Sequence, residues 1–585
     1  MKHFSAFLLS TFLCVSLFAV PAMRVRVPVR MFDGSTLLVS LYGDEHYSWF
    51  LSDDGYVVEP VAEGAEVYVK TDRTFDEEVE RATRHREEAA RRVPRRIGSQ
   101  ATAPLPAHGT VRVPVVLVNF TDSVFHVADT DEEIRKYYDL FCNGTRDGKL
   151  YRGHGSYGSV RDYFVQQSDG QFQPEFTIIG PVTLNKPEGY YGGDRSEKSK
   201  DSCYTAFFRE AIAAATEMYE GNWMDFDNKG KGQVDMVFYV YAGCGQNSGA
   251  PSSTLWPKES TSGTTLNGIC FATTGCTSEN TAKLKVDGQG RYVLDKDGNY
   301  IVVGSKPDGI GVFCHELSHA LGLPDFYDTS YKAFGMDLWS LMDYGCYGGG
   351  GFCPGAYNGY ERDFMGWRRL GELNEPCDLT LTAMELGGTA YKIVNDENPD
   401  EYYIIENRQR EGWDYSVCSY SKGLQVTHVD YDASAWNSNN VNTKADHQRM
   451  TIIAANNRYV GTSISNDGNE LVKTWTGNLY PFIDRTQDPI MWNDSLTALS
   501  TPAATVYSES GFMYKNINAI KQLANGDVSL HFGNDYVVVN IDGIEDYPHS
   551  KVKENVTFDL SGRRLQDAVL PKGVYIVGGR KRIVR

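Results

Sequence analysis

The run His315-Glu316-Leu317-Ser318-His319 carries the most specific chemistry in this chain. On a helix, residues four apart share a face, so His315 and His319 can hold one metal ion together. Imidazole nitrogen suits Zn²⁺, and a catalytic zinc site takes three protein ligands and keeps one position for water. Glu316 lies one step round the helix, where a carboxylate reaches such a water without being a ligand. A metal ion acidifies the water and polarises a carbonyl while the carboxylate takes the proton, so the pattern points to hydrolysis of peptide bonds. Asp325 is the expected third ligand. Gly322 follows the last helical turn, where a left-handed residue can end a helix and swing the chain back. Asp328 and Glu361 are rivals, but neither has the terminating glycine at a favourable offset.

These side chains need a rigid support. Ile310, Phe313, Cys314, Leu317 and Leu321 fall at helical spacing and predict a buried face, with Asp308 as cap of a helix starting near Gly309. Upstream, the apolar run Val113–Phe120 and the segment Met236–Tyr241 read as strands, and residues 204–219 have helical composition. Alternating strands and helices ahead of the histidines predict an α/β sheet packed against the metal-binding helix.

The spacing HExxHxxGxxD resembles the extended zinc signature of the metzincins, and HELSHALGLPDFYD is similar to the immune inhibitor A family of secreted bacterial metalloproteases. Trp339-Ser340-Leu341-Met342-Asp343-Tyr344 resembles the Met-turn beneath the metal in such enzymes. By that resemblance Met342 supports the zinc site and Tyr344 stabilises the tetrahedral intermediate, although methionine also fills core gaps anywhere. Gly158–Phe164 and Val234–Gly243 resemble the same catalytic domain, which would cover about residues 110–373. The resemblance implies a multidomain α+β protein, with a metzincin-like zinc protease domain followed by all-β parts. It also implies protein or peptide substrates, with Glu316 as general base and His315, His319 and Asp325 on Zn²⁺.

Around this centre the chain has 585 residues and a formal charge of −19, with a pI near 5.2. That acidity argues against a nucleic-acid partner and for a soluble, self-repelling monomer outside the cell. Residues 1–22, a basic start, an apolar run and Val20-Pro21-Ala22, have the layout of a secretory signal peptide. Ten cysteines lie between Cys142 and Cys418, and in an exported protein they can form disulfides; Cys314 is the one expected to be a free thiol. Residues 23–108 read as a propeptide: short strands, a charged helix over Asp76–Arg92, then Val93-Pro94-Arg95-Arg96 and a proline-containing loop. The segment Gly43–Val58 is similar to the amino-terminal part of immune inhibitor A relatives. The arginines suit either a cleavage site or a solvated helix end. Because residues 23–108 contain no cysteine, latency through a thiol on the metal is excluded, which leaves an acidic side chain or steric blockage.

The catalytic domain is expected at 109–375, a β-sandwich-like domain at 376–533 and a terminal β-rich segment at 534–585. The last resembles the carboxy-terminal sorting domain of type IX secretion, through Leu560-Ser561-Gly562-Arg563, Gly573-Val574-Tyr575 and the basic end. Such a domain implies the type IX secretion machinery as a partner and a secreted or cell-surface location. Ca²⁺ is the second cofactor considered. Asp225–Asp235 has the glycine spacing of a calcium loop, but Lys229 and Lys231 stand where oxygen ligands belong, which favours a bare turn. His428, Asp430, Asp432, Asn437, Asn439, Asn442 and His447 form a second polar constellation, suited to Ca²⁺, to substrate or to turn chemistry. The competing function is a surface adhesin on an inactive protease scaffold, which the intact His315, Glu316 and His319 oppose.

Overall fold

The computed structural model describes residues 17–62, 65–92, 98–193, 203–285, 293, 300–459, 475–486 and 490–534, and four short strands beyond 556. The Arg95-Arg96 pair and the first sixteen residues lie outside the described part. Residues 1–534 form one compact unit and 535–585 a second.

The centre of the first unit is a twelve-stranded sheet. Its middle is parallel: β7 (Gly109–Asn119) lies between β8 (Phe172–Thr183) and β9 (Val234–Cys244), and β9 pairs with β11 (Ile269–Leu284). A parallel strand covered on both faces is apolar on both, and β9 is the clear case. Met236, Phe238, Val240 and Ala242 enter one core, while Val237, Tyr239 and Tyr241 enter the other. On the second face lies α5 (Tyr204–Met218), through Tyr204, Phe207, Phe208, Ala211, Ile212 and Ala215. On the first lie α2 (Asp131–Asn143), α3 (Val160–Gln167) and the histidine helix α6 (Gly311–Ala320). The Phe313 ring of α6 stacks on Phe238 of β9 with centroids 3.7 Å apart.

β11 is long enough to pair with two neighbours along its other edge. β10 (Lys258–Leu266) pairs with its first half and β12 (Tyr300–Pro307) with its second, both antiparallel. Beyond β10 the sheet gains β1 (Leu17–Phe18), from the segment expected to be a removable signal. Beyond β12 it gains the amino-terminal head: β2 (Val25–Met31), β3 (Thr36–Gly43), β4 (Ser48–Ser52), β5 (Tyr56–Pro60) and β6 (Val67–Thr74), followed by α1 (Phe75–Arg92). The junction is short: Tyr300 pairs with Val25 and Ile301 with Arg26.

After α7 (Gly359–Met365) come a five-stranded sheet within Gly371–Ile452 and a three-stranded sheet that joins Cys377–Leu381 to Ile517–Gln522 and Val528–Phe532. The two sheets share an apolar core. The strand Glu401–Arg408 shows why this part adheres to the catalytic region. Tyr403 and Ile405 face the shared core, and Tyr402 and Ile404 face the core that also holds α6. In the second unit, Thr557–Asp559, Arg564–Leu565, Gly573–Val577 and Arg580–Val584 make a four-stranded sheet.

Two expectations change. The described residues carry no disulfide; Cys142 and Cys314 lie in the same core without bonding, and burial raises both thiols well above their ordinary range. Helix α6 starts at Gly311, two residues later than expected, and Asp308 accepts from the Gly309 amide at 2.8 Å instead of capping the helix. Leu17 and Phe18, in the run read as a leader, pair with Ser260 and Glu259 of β10. No described helix is long and apolar enough to cross a membrane.

Candidate metal centre

Helix α6 is buried along its whole length, and Gly322, at φ +105°, ends it. The Gly322 amide donates to the His319 carbonyl at 2.9 Å, and the chain then doubles back through Leu323 to Asp325. This turn brings His315, His319 and Asp325 together, with ligand atoms all within 4.8 Å of one another. His315 Nε2 and His319 Nε2 are 3.1 Å apart, and Asp325 Oδ1 is 3.1 Å from the first and 3.3 Å from the second.

The surrounding hydrogen bonds decide what fits there. His315 Nδ1 faces the Leu341 carbonyl at 2.9 Å and His319 Nδ1 faces the Leu323 carbonyl at 2.8 Å. A carbonyl only accepts, so both Nδ1 atoms carry the proton and both Nε2 atoms present lone pairs to each other. Asp325 Oδ1, aimed at the same point, is buried without a hydrogen-bond partner. Two lone pairs and a carboxylate oxygen converging in a buried space repel one another unless a cation lies between them. The donor set, two imidazoles and a carboxylate, is one that suits zinc. The residues fit a metal ion.

The electrostatics agree. Burial lowers the affinity of His315 for a second proton, which keeps it a ligand. Burial alone would raise Asp325, and only positive charge or donated protons on His319 and His315 would hold its carboxyl below the usual range; with both rings neutral that part falls to a cation between them. Glu316 is pushed well above the ordinary range, first by burial and then by the charge of Asp325. Its Oε2 has no partner, and its Oε1 accepts from the Val20 amide at 3.1 Å.

The rival acids are occupied elsewhere. Asp328 accepts from the amides of Ser330, Lys332 and Ala333, which builds a turn. Glu361 closes a capping box on α7 and accepts from Ser340 Oγ at 2.6 Å. Met342 lies fully buried beneath the site, and its carbonyl receives the Phe326 amide at 2.9 Å. Burial pushes the Tyr344 phenol up to about 12, so it stays a neutral donor.

One functional residue escaped the sequence reading of the site. Asn439 clasps Asp325 from 114 positions away: its Oδ1 accepts the Asp325 amide at 2.7 Å and its Nδ2 donates to Asp325 Oδ2 at 2.6 Å. Such a partner fixes which carboxylate oxygen faces the metal. The signal was the constellation after His428, whose members take up different tasks. His428 pairs with Glu401, His447 with Asp430, and Asn442 holds the Phe326 carbonyl. The turn at 225–235 is likewise self-contained, with Asp227 accepting the amides of Lys231 and Gly232.

The amino-terminal head covers the centre. Glu45 is buried, both its carboxylate oxygens lack a hydrogen bond, and burial followed by the charge of Asp325 raises it well above its ordinary range. Its neighbour Asp44 accepts from Tyr331 at 2.9 Å and pairs with Arg86 of α1.

Residues 105–372 match the family described as immune inhibitor A peptidase M6, catalytic domain. Immune inhibitor A of Bacillus thuringiensis subsp. alesti is 24% identical over 283 residues, 43% of this chain and 39% of that protein. Pre-pro-metalloprotease PrtV of Vibrio cholerae serotype O1 (El Tor Inaba N16961) is 23% identical over 286 residues, 44% of this chain and 30% of that protein. A putative secreted metallopeptidase of Arthroderma benhamiae is 24% identical over 245 residues, 38% and 33% of the two chains. The chain thus spans between 30% and 39% of the length of these relatives. The His-His-Asp group falls inside the stretch that is similar to the immune inhibitor A peptidase M6 catalytic domain.

Proposed function

We propose that the protein is a secreted, zinc-dependent endopeptidase made as a zymogen. The observation that carries this reading is the convergence of His315 Nε2, His319 Nε2 and Asp325 Oδ1 on one buried point, beside a buried Glu316 with one oxygen lacking a hydrogen bond. A zinc ion held there would supply Lewis acidity, making a nearby water a better nucleophile and a carbonyl a better electrophile. The chain's own groups do the rest. Glu316 takes the proton of the attacking water and returns it to the departing amine, and its raised proton affinity suits both halves of that task. His315 and His319 keep their Nδ1 protons on backbone carbonyls, which fixes the rings through the cycle. The Tyr344 hydroxyl accepts the Arg24 amide at 3.2 Å, four residues beyond the amide that meets Glu316, so no role at the reacting carbonyl is assigned to it. Cleft walls that satisfy an extended backbone select peptides as substrates.

Latency is assigned to the head, which brings Glu45 and Arg24 to the metal centre and its cleft and stays attached after the leader is removed. Export rests on the apolar start, and delivery by the type IX machinery on the terminal segment's sequence. The mature amino terminus is expected between about Arg91 and Val111, on the ground of the basic stretch Val93-Pro94-Arg95-Arg96, since Ala103, Leu105 and Ala107 further along are buried.

Glu316→Gln tests the reading. The variant should retain zinc and fold yet lose about 10²–10⁴-fold in peptidase activity, since an amide cannot accept the water's proton. Substantial turnover by the zinc-loaded variant would remove Glu316 from this role. Protein lacking zinc, with no chelator-sensitive cleavage, would instead favour an adhesin on an inactive scaffold.

A further inference from the structure

Residues 17–25 run along the catalytic cleft, paired as a strand at Leu17–Phe18 and closing a tight turn where the Val25 amide donates to the Met23 carbonyl at 2.8 Å. β1 pairs with Ser260 and Glu259 of β10. The Ala19 carbonyl accepts from Tyr327 Oη at 3.3 Å, and the next amide, of Val20, donates to Glu316. Further along, the Val20 carbonyl accepts from Trp256 Nε1 at 3.1 Å and the Pro21 carbonyl from Tyr347 Oη at 2.7 Å. The amides of Met23 and Arg24 donate to the Asn247 carbonyl at 2.8 Å and to Tyr344 Oη at 3.2 Å. A peptide that extends a sheet edge is bound in this way, through its backbone, with specificity left to pockets for its side chains.

One such pocket is filled. The Arg24 guanidinium forks onto Asp337, Nη2 to Oδ2 at 2.9 Å and Nη1 to Oδ1 at 3.4 Å. It lies 4.1 Å above the Tyr344 ring and 5.8 Å from the Trp475 ring. Asp337 is fully buried at φ +50°, and its amide is held by Asp343 Oδ2 at 2.6 Å. Apart from Arg24, its carboxylate receives, among the described residues, the Trp475 indole N–H at 3.1 Å. A buried carboxylate with one neutral donor is poorly compensated, so without Arg24 this pocket demands another cation.

We propose that Asp337, Tyr344 and Trp475 form a substrate subsite for an arginine or lysine side chain, occupied in this structure by Arg24 of the chain itself. The proposal rests on the peptidase reading of the centre. A substrate lying along the same track places its basic residue four positions beyond the one whose amide meets Glu316, on the carboxy-terminal side of the cut. Arginine fits better than lysine, because the fork on Asp337 and the stacking on Tyr344 both use a planar guanidinium.

The test uses active protein recovered from culture medium and two peptides, one with the sequence of residues 17–25 and one with leucine in place of its arginine. With the metal stripped by a chelator, turnover stops and Trp fluorescence reports binding alone; the arginine peptide should bind at least ~10-fold more tightly. In the metal-loaded protein, a peptide library should show Lys and Arg enriched at a single position past the cut. Asp337→Asn should abolish both preferences while zinc content stays unchanged. Equal binding of the two peptides overturns the subsite even if Asp337→Asn does not fold. Discrimination in binding without any cleavage would keep the subsite and sink the peptidase reading instead.

Discussion

Helix α6 and the turn at 225–235 both place acids and glycines at spacings that suit a metal ion, yet they spend their polar atoms in opposite ways. In the turn, Asp227 gives its two oxygens to the amides of Lys231 and Gly232, and Asp235 gives Oδ2 to the Lys229 amide at 3.0 Å. That leaves one isolated oxygen, Asp235 Oδ1, without a hydrogen bond, and among the described residues no second ligand atom converges on it. The carboxylates have become part of the backbone's own hydrogen bonding. At α6 the outer atoms of each ligand are tied down, Nδ1 of both histidines and Oδ2 of Asp325, while the inner atoms, the two Nε2 and Asp325 Oδ1, converge to within 3.3 Å of one another. The difference teaches that a metal site is recognised by what remains unsatisfied after local structure has taken its share. Counting acids does not separate the two regions.

The sharpest way to break this contrast is to remove an inner atom. Asp325→Ala should lose zinc and activity together, by more than the ~10–100-fold typical of an outer partner, while Asp328→Ala and Glu361→Ala keep the zinc content. Elemental analysis of the three variants checks it. Zinc retained in the Asp325 variant and lost in the Glu361 variant would reverse the assignment. A smaller effect is expected from an outer atom. Asn439→Gly removes the clasp on Asp325 and tolerates the φ of +54° there, so zinc affinity should fall ~10–100-fold with the fold intact. Competition with a chelating dye measures it, and an unchanged affinity would mean that Asp325 needs no external orientation.

The turn supplies the control. Asp227→Ala should leave metal content untouched and cost only about 1 kcal/mol of stability in a denaturant titration. Calcium-dependent stability in the parent that disappears in this variant would make the turn a metal site after all. The subtlest prediction concerns Glu361, which burial raises to about 7. An acid with a raised folded-state value contributes fully at low pH and loses that contribution as pH climbs from about 4.5 to 7. Glu361→Gln should therefore flatten the fall in stability across that window by roughly 2–3 kcal/mol. A parallel shift of the whole curve would show that Glu361 does not titrate there.

How far the site could be read from the chain depends on distance along it. His315, Glu316, His319 and Asp325 lie within one helix and one turn, so periodicity and a terminating glycine were enough to group them. Asn439 was visible only as one polar residue among several, because nothing local to it indicates a carboxylate 114 residues away. The central strands were legible since β9 must bury both faces, and its composition says so. The start of α6 was misjudged for a local reason: Asp308 binds the very next amide and leaves Gly309 and Ile310 outside the helix. The leader's second role was hidden by its composition, since an apolar run at an amino terminus reads as an export signal whether or not its far end also fits a cleft.

The junction of β12 with β2 gives the head a second attachment. Two backbone registers, Tyr300 with Val25 and Ile301 with Arg26, bind the head edge to edge to the sheet that supports α6. Severing the linker near Arg91 therefore does not release the head. On the zymogen reading proposed above, nicking and departure would be separate events, and a cut precursor would stay shut until those strands unzip. When they do, the outer edge of β12 is left as a row of bare amides and carbonyls, open to another strand. Activation would thus trade an internal inhibitor for an adhesive seam, and the newly matured protein would be most prone to self-association just after its head leaves.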